Sequence, residues 1–318
     1  MGPTQGEVHI NVGLSDVSIM FRNEQLVAED FLRTKMVGKV SDVIWQYGRE
    51  AFNLYNDLRA PGTRGIKTDW SLSTIPYVSK EHSQIGEITD QSRDNADAPL
   101  SLETDTTELK TAQIQLRLEF DAAQMLTNAA NYASGLSEDL SAAGNIQWSD
   151  PNSDPIGDIE AAKALVLEAS GQEPNVALFG HKVKIALKTH PKVKAGFAFN
   201  GAIAAEGTKI TDEMLADLFD FDEVFDAKGQ YNTQPDGATP VYNFIWGNNA
   251  ILAVRPAAIG IKTLALACII RLRGYRLTET WYQQPESTTY VRVRDHYVPF
   301  LISNVSGFLF QNCVKAGA

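Results

Sequence analysis

Hydrophobic and polar positions change their period several times along the chain, and each change marks an element. From Val43 the apolar residues alternate, with Val43, Trp45 and Tyr47 on one face of an extended segment that runs on towards Phe52 and Tyr55. A period of two predicts a strand. Arg59-Ala60-Pro61-Gly62-Thr63-Arg64-Gly65 follows, where proline fixes φ and glycine takes the positive φ of a tight reversal. The return also alternates: Ile66, Thr68, Trp70, Leu72 and Thr74 share one face, and Lys67, Asp69, Ser71 and Ser73 share the other. Together the runs predict a long hairpin over 40–78. A lone hairpin is marginal in water because it has no second layer on which to bury its apolar face. Trp45, Tyr47 and Trp70 are therefore expected to rest on the chain's own core or on a neighbouring copy.

After the polar stretch 90–105 the spacing becomes helical. Asp105 and Glu108 form a capping pair, and Leu109, Ala112, Leu116, Phe120, Ala123, Thr127 and Ala130 make a stripe widened by Ile114, Leu118 and Met125. This predicts a helix over 106–134, closed near Gly135. About 28 residues at roughly 1.5 Å each give a rod of about 42 Å, the length of a spine. Further helices are predicted at 158–169, capped by Asp158, at 182–189, stopped before Pro191, and at 211–219. In the last, Thr211 caps, Asp212 and Glu213 fill the first turn, and Ile210 staples to Leu215. Strands predicted at 176–179, 241–246 and 251–254 make this stretch a mixed α/β block, and 272–281 and 288–310 read as β structure. Residues 1–38 carry Gly2, Pro3, Gly6 and Gly13 early and only weak helical spacing around 21–32, so they read as an arm that a partner surface orders.

Composition narrows the function. Of 318 residues, 44% are hydrophobic and 21% charged, enough to bury a sizeable core. With 39 acidic against 28 basic side chains the net charge is −11, which argues against a general binder of phosphate backbones. Cys268 and Cys313 make no disulfide framework and are too few to hold zinc alone. The first residues lack the basic-then-apolar pattern of a secretory signal, so Asn304-Val305-Ser306 is an idle glycosylation match. Arg255, Pro256 and Lys262 interrupt the most apolar stretch, 251–270, so no membrane contact is expected.

Candidate chemistry is thin, and no catalytic, cofactor-binding or metal-binding residue is assigned. Gly201 to Gly207 precedes Thr208-Lys209 without the spacing of a phosphate loop. His181 and His190 are nine apart and do not share a helix face. Neither cysteine has a histidine near it in a nucleophile motif, and Gly-x-Ser-x-Gly is absent. Asp217, Asp220, Asp222, Glu223 and Asp226 could suit a hard cation, but Phe225 stands where a calcium loop needs glycine. A solvated acidic face or salt bridges to a second copy is the better reading. Arg271, Arg273 and Arg276, then Arg292 and Arg294, are placed to pair carboxylates across an interface, with nucleic-acid contact as the alternative. Arg59, Arg64 and Lys67 are similarly expected to dock on a neighbour's acidic surface.

In order, these elements resemble the Hong Kong 97 phage coat-protein fold. Val12-Gly13-Leu14-Ser15-Asp16, the Arg59-Ala60-Pro61-Gly62 tip and Pro174-Asn175 ahead of the strand at 176–179 look like phage major capsid sequences. The resemblance implies an α+β chain with an N-arm at 1–38, an extended hairpin loop at 39–85, and a peripheral domain at 86–171 holding the spine helix. An axial domain at 172–270 and a return to the peripheral sheet at 271–318 complete it. It also implies a structural major capsid protein and no enzyme, assembling in the bacterial cytoplasm into hexamers and pentamers of an icosahedral virion shell around double-stranded DNA. Expected partners are copies of itself, a portal, possible decoration proteins, and DNA by weak contact. Because no scaffolding domain precedes the arm, a separate scaffolding protein or a shortened chain is expected. Some relatives cross-link a loop lysine to an asparagine, and Lys67 or Lys80 would be that lysine. An encapsulin-like shell and a tail or decoration protein are the alternative readings.

Overall fold

β-branched and aromatic residues are densest in the last third of the chain, and there the larger sheet is built. The computed structural model describes residues 9–10, 25–47, 53–55, 57–59, 61–62, 64–65, 67–69, 71–96, 101–199, 210–235, 237–260 and 263–315. In chain order they form β1 (His9–Ile10), α1 (Ala28–Phe31), β2 (Thr34–Val37), β3 (Ser41–Tyr47), β4 (Leu72–Val78), β5 (Lys80–Thr89), α2 (Asp90–Asp94) and α3 (Leu102–Leu126). Next come β6 (Ser137–Asp139), α4 (Pro155–Ser170), β7 (Val176–Gly180), α5 (His181–Thr189), α6 (Pro191–Phe199), α7 (Asp212–Phe219) and β8 (Glu223–Ala227). The chain closes with β9 (Gln230–Asn232), β10 (Tyr242–Phe244), β11 (Ala250–Ala253), β12 (Ala267–Leu272), β13 (Leu277–Gln283), β14 (Thr288–Leu301) and β15 (Gly307–Gln311).

The first sheet is organised by β14, which pairs antiparallel with β5 from Thr288↔Thr89 to Tyr297↔Lys80 and, on its other side, with β13 and then β12. β1 extends it beyond β13, and β2 joins β12 in parallel. The second sheet has the order β6-β15-β11-β7-β8 and is mixed. Its β7 and β11 are buried at every position, as strands covered on both faces must be. One continuous apolar core joins the two sheets, from Phe31, Leu118 and Tyr297 to Phe179, Trp246 and Phe310. The spine helix α3 lies close over β5: a Cβ on Gly86 would strike Thr106, so glycine is what permits the approach.

Several boundaries differ from the sequence pattern for identifiable reasons. The spine helix starts at Leu102 and ends at Leu126 rather than spanning 106–134. Thr127 turns its hydroxyl back onto the Ala123 carbonyl at 2.7 Å, and a single 3-10 turn, Ala129–Asn131, follows before Gly135 takes φ +86°. Asp158 does not cap α4; it sits in the first turn of a helix opened by Pro155 and accepts from Trp148 Nε1 at 2.8 Å. Pro191 ends α5 and at once begins α6, because proline is well suited to a first helical turn. The polar stretch 90–105 is partly helical, with Thr89 Oγ1 capping α2 through the Ser92 amide. The segment expected over 272–281 opens with the last residue of β12 and a turn at Gly274, with φ +75°, before β13 begins at Leu277, and the segment expected over 288–310 is two strands divided between Leu301 and Gly307. The Gly201 to Gly207 stretch lies outside the described residues. Among the described residues no helix is long and apolar enough to cross a membrane.

Candidate assembly surfaces

The expected hairpin forms, with Ser41 opposite Val78 and Tyr47 opposite Leu72. It is shorter than the alternation implied: the described residues of 53–71 form no strand. Its inward face is also the other one. Ile44 and Tyr77 are buried against Cys268 and Ile270 of the first sheet, with the Tyr77 ring edge-on to Phe300 at 6.4 Å. Val43 and Trp45 point away, and Trp45 keeps 47% of its surface exposed. Tyr47 is placed by its register alone, and Trp70 lies outside the described residues. Arg59, Arg64 and Lys67 are exposed. The ribbon is thus anchored at its base and bare on one apolar face.

Three members of the acidic cluster, Asp220, Glu223 and Asp226, face separate cations of the same chain. Asp226, on β8, accepts from Lys184 Nζ at 2.7 Å and contacts His181 Nδ1 at 3.0 Å. Burial opposes its charge, but the hydrogen bonds and charges of Lys184 and His181 outweigh it and hold the carboxyl below the usual range. Asp212, at the start of α7, is likewise held low, against its burial, by Lys184 at 2.6 Å and Lys188 at 2.7 Å. Glu223 pairs with Arg255, and Asp222 accepts from Asn175 Nδ2 at 2.8 Å. Asp220, in the left-handed conformation that ends α7, lies 3.7 Å from the buried Lys163 ammonium. Asp217 is exposed. No group of side chains among the described residues could hold a metal ion.

The arginines expected at an interface mostly find carboxylates at home. Arg271, only 8% exposed, pairs with Glu29 of α1 and stands 3.1 Å from Asp295, close enough for an ion pair although Nε is not aligned to donate. Arg292 and Arg294 converge on the buried Glu279, the latter at 2.6 Å. Their guanidinium planes also lie over Trp281 at 5.4 Å and Tyr275 at 5.7 Å. Pairing across adjacent strands of one sheet explains the spacing by two that the sequence displays. Of Arg271, Arg273, Arg292 and Arg294, Arg273 is the exposed one.

One group escaped the sequence pattern. Glu119, on α3 and 1% exposed, accepts from the amides of Val27 at 3.1 Å and Ala28 at 2.7 Å and from Trp246 Nε1 at 2.5 Å. Burial pushes its carboxyl above the usual range, while these donors favour the ionised form. It ties the root of the N-terminal segment to the spine helix and to the segment leading into β11. The available signal was a glutamate on an amphipathic helix with no Lys or Arg three or four residues away on either side.

Comparison with known proteins gives this arrangement a context. A sequence model described as phage major capsid protein E matches residues 90–254, from α2 through β11. The major capsid protein of Burkholderia phage BcepMu is 26% identical over 306 residues, covering 94% of both chains. A phage-related protein of Bordetella bronchiseptica superposes with a TM-score of 0.74 at 22% identity, covering 96% of this chain and 97% of that one. The capsid structure of cyanophage P-SCSP1u shares the fold at a TM-score of 0.60 and 10% identity, over 98% of this chain and 92% of its own. With a match over more than half its length, the chain belongs to the phage major capsid protein E family and is a structural phage coat protein.

Proposed function

We propose that copies of the chain form hexamers and pentamers of a closed icosahedral shell around double-stranded DNA, with the ribbon of each copy laid over its neighbour. The supporting observation is the ribbon itself: among the described residues β3 and β4 pair only with each other, bury Ile44 and Tyr77 at the base, and leave Val43 and Trp45 exposed. Apolar surface of this kind is a favourable contact once a second surface covers it. The interface residues proposed are the exposed ones: Trp45, Arg59, Arg64, Lys67, Asp217, Asp220, Asp222 and Arg273. Arg271, Arg292 and Arg294 already pair with carboxylates within the chain and contribute by shaping the surface.

The division into arm (1–38), extended loop (39–85), peripheral domain (86–171), axial domain (172–270) and return (271–318) is the domain scheme that goes with this reading. β5 begins at Lys80, so the end of the loop segment is already part of the first sheet, and β15 returns to the second sheet beside β11. A net charge of −11 suits a container that touches DNA weakly, because tight phosphate contacts would oppose release. A separate scaffolding protein, a portal and decoration proteins are the proposed partners, and the work of the chain is architectural. Negative-stain microscopy of the expressed chain, with and without a candidate scaffold, tests this. Closed shells are expected, carrying DNA when recovered from infected cells. A protein that stays monomeric under every condition, or shells filled with an enzyme and no DNA, would contradict it.

A further inference from the structure

The ribbon meets the body through two legs, one held by a buried polar contact and one bare. β4 ends at Val78 and β5 begins at Lys80, so Ser79 alone carries the chain from the ribbon into the first sheet. Its amide donates to the Val40 carbonyl at 2.8 Å, which closes the foot of the ribbon, and its hydroxyl oxygen lies 2.6 Å from Nδ1 of His296 on β14. Both residues are buried, and the imidazole stands edge-on to the Tyr275 ring at 5.3 Å. The other leg, from Gly38 to Val40, is exposed, and a Cβ on Gly38 would meet nothing within 4 Å. Beneath the strands, Ile44, Tyr77, Cys268 and Ile270 form a buried cluster of their own, apart from the main core. Apolar contact of this kind holds the ribbon down without fixing its direction, whereas a hydrogen bond weakens steeply once it is bent.

We infer that the hydrogen bond between Ser79 and His296 is the pin that sets the angle at which the ribbon leaves the first sheet, and that both are positioning residues for assembly. The second half of this rests on the proposal that copies assemble through the ribbon. The seven residues of β3, at roughly 3.3 Å each, make a lever of about 23 Å, so a swing of about 10° at the root carries the far end about 4 Å. Apolar side chains are in contact only within about 4 Å of one another, so a ribbon without its pin misses the surface it would cover. A hydroxyl can donate to the ring or accept from it, and the pin therefore holds with either tautomer of His296.

The test is a distance measured by pulsed electron resonance on the full-length unassembled chain, between spin labels at Thr74→Cys on the ribbon and Glu160→Cys on α4. Both positions are exposed, while Cys268 and Cys313 are buried and stay unlabelled. Ser79→Ala, which keeps the backbone bond to Val40, should at least double the width of the distance distribution and, in electron micrographs, the spread of particle diameters. His296→Leu should broaden the distances equally and the double variant no further, because the two side chains make one link. His296→Asn, whose amide can still meet the hydroxyl, should keep the parent's width. A width indifferent to Ser79→Ala, or effects that add in the double variant, would overturn the pin. A broadened ribbon with particles of unchanged spread would overturn its role in assembly. Should Ser79→Ala fail to fold, His296→Leu set against His296→Asn reads the same link. Failure of the unaltered chain to form any particle would instead overturn the assembly reading, while the width measured on the single chain still decides the pin.

Discussion

The second sheet and the β3–β4 ribbon are built from similar residues and solve opposite problems. Every residue of Val176–Gly180 is buried, with β11 and β8 at its edges and Phe219 of α7 packed on Phe179 at 6.4 Å. The ribbon is also paired through its backbone and has comparable aromatic content, yet on the face opposite Ile44 and Tyr77 the side chains of Val43 and Trp45 stay exposed. Backbone pairing alone therefore does not make a self-sufficient unit; the second layer does. In this protein the body supplies its own second layer, and the proposal is that the ribbon obtains one by assembly.

The comparison can be broken first where the body is strongest. Phe179→Ala should cost the monomer about 3–5 kcal/mol, the usual loss for emptying a fully buried aromatic site, read as a lower denaturant midpoint. Glu119→Ala comes next, at roughly 2–4 kcal/mol, since the Val27 and Ala28 amides and the Trp246 indole are left without an acceptor. Its signature is faster proteolysis near residues 25–32, ahead of global unfolding.

Acid should act on the α5–α7–β8 clasp. Asp212 and Asp226 are held below their ordinary value in the folded chain, so the stability they contribute is complete above that value and is lost as pH falls through the lower, folded one. Asp226→Asn should flatten this acid limb of the stability curve, measured by denaturation at stepped pH. The smallest effect on the monomer belongs to Trp45→Ser, within about 0.5 kcal/mol of the parent because the side chain is already half in water. The same substitution should sharply lower the yield of particles. A large loss of monomer stability from Trp45→Ser would mean the ribbon packs on its own chain.

Periodicity carried the existence of most elements but only part of which face was turned inward. On α3 the stripe Leu109, Ala112, Leu116, Phe120, Ala123, Thr127 and Ala130, widened by Ile114, Leu118 and Met125, held in part: Ile114, Leu118 and Ala123 are buried, yet Leu109 is 56% exposed. The buried side also takes in Thr107, Thr111, Glu119 and Ala122. Polar residues survive there because their partners are close: Thr107 and Thr111 donate to carbonyls one turn back, at 2.8 and 2.7 Å, and Glu119 takes donors from 92 and 127 residues away. Such partners leave no trace in local spacing. On β3 the alternation was legible, but Ile44 rather than Trp45 faces inward because Cys268 and Ile270 of a distant strand lie beneath it. The arginine pairs were legible as carboxylate seekers; that Arg292 and Arg294 meet Glu279 of the adjacent strand required the register Arg292↔Glu279.

The central claim is that the body is complete within one copy and the ribbon is completed by another. Hydrogen exchange on monomer and on assembled particles tests it most directly. Amides of 41–47 and 72–78 should slow by roughly tenfold or more on assembly, as newly covered strands do, while those of 176–180 stay equally protected in both states. Equal exchange of the ribbon in monomer and particle would contradict the account.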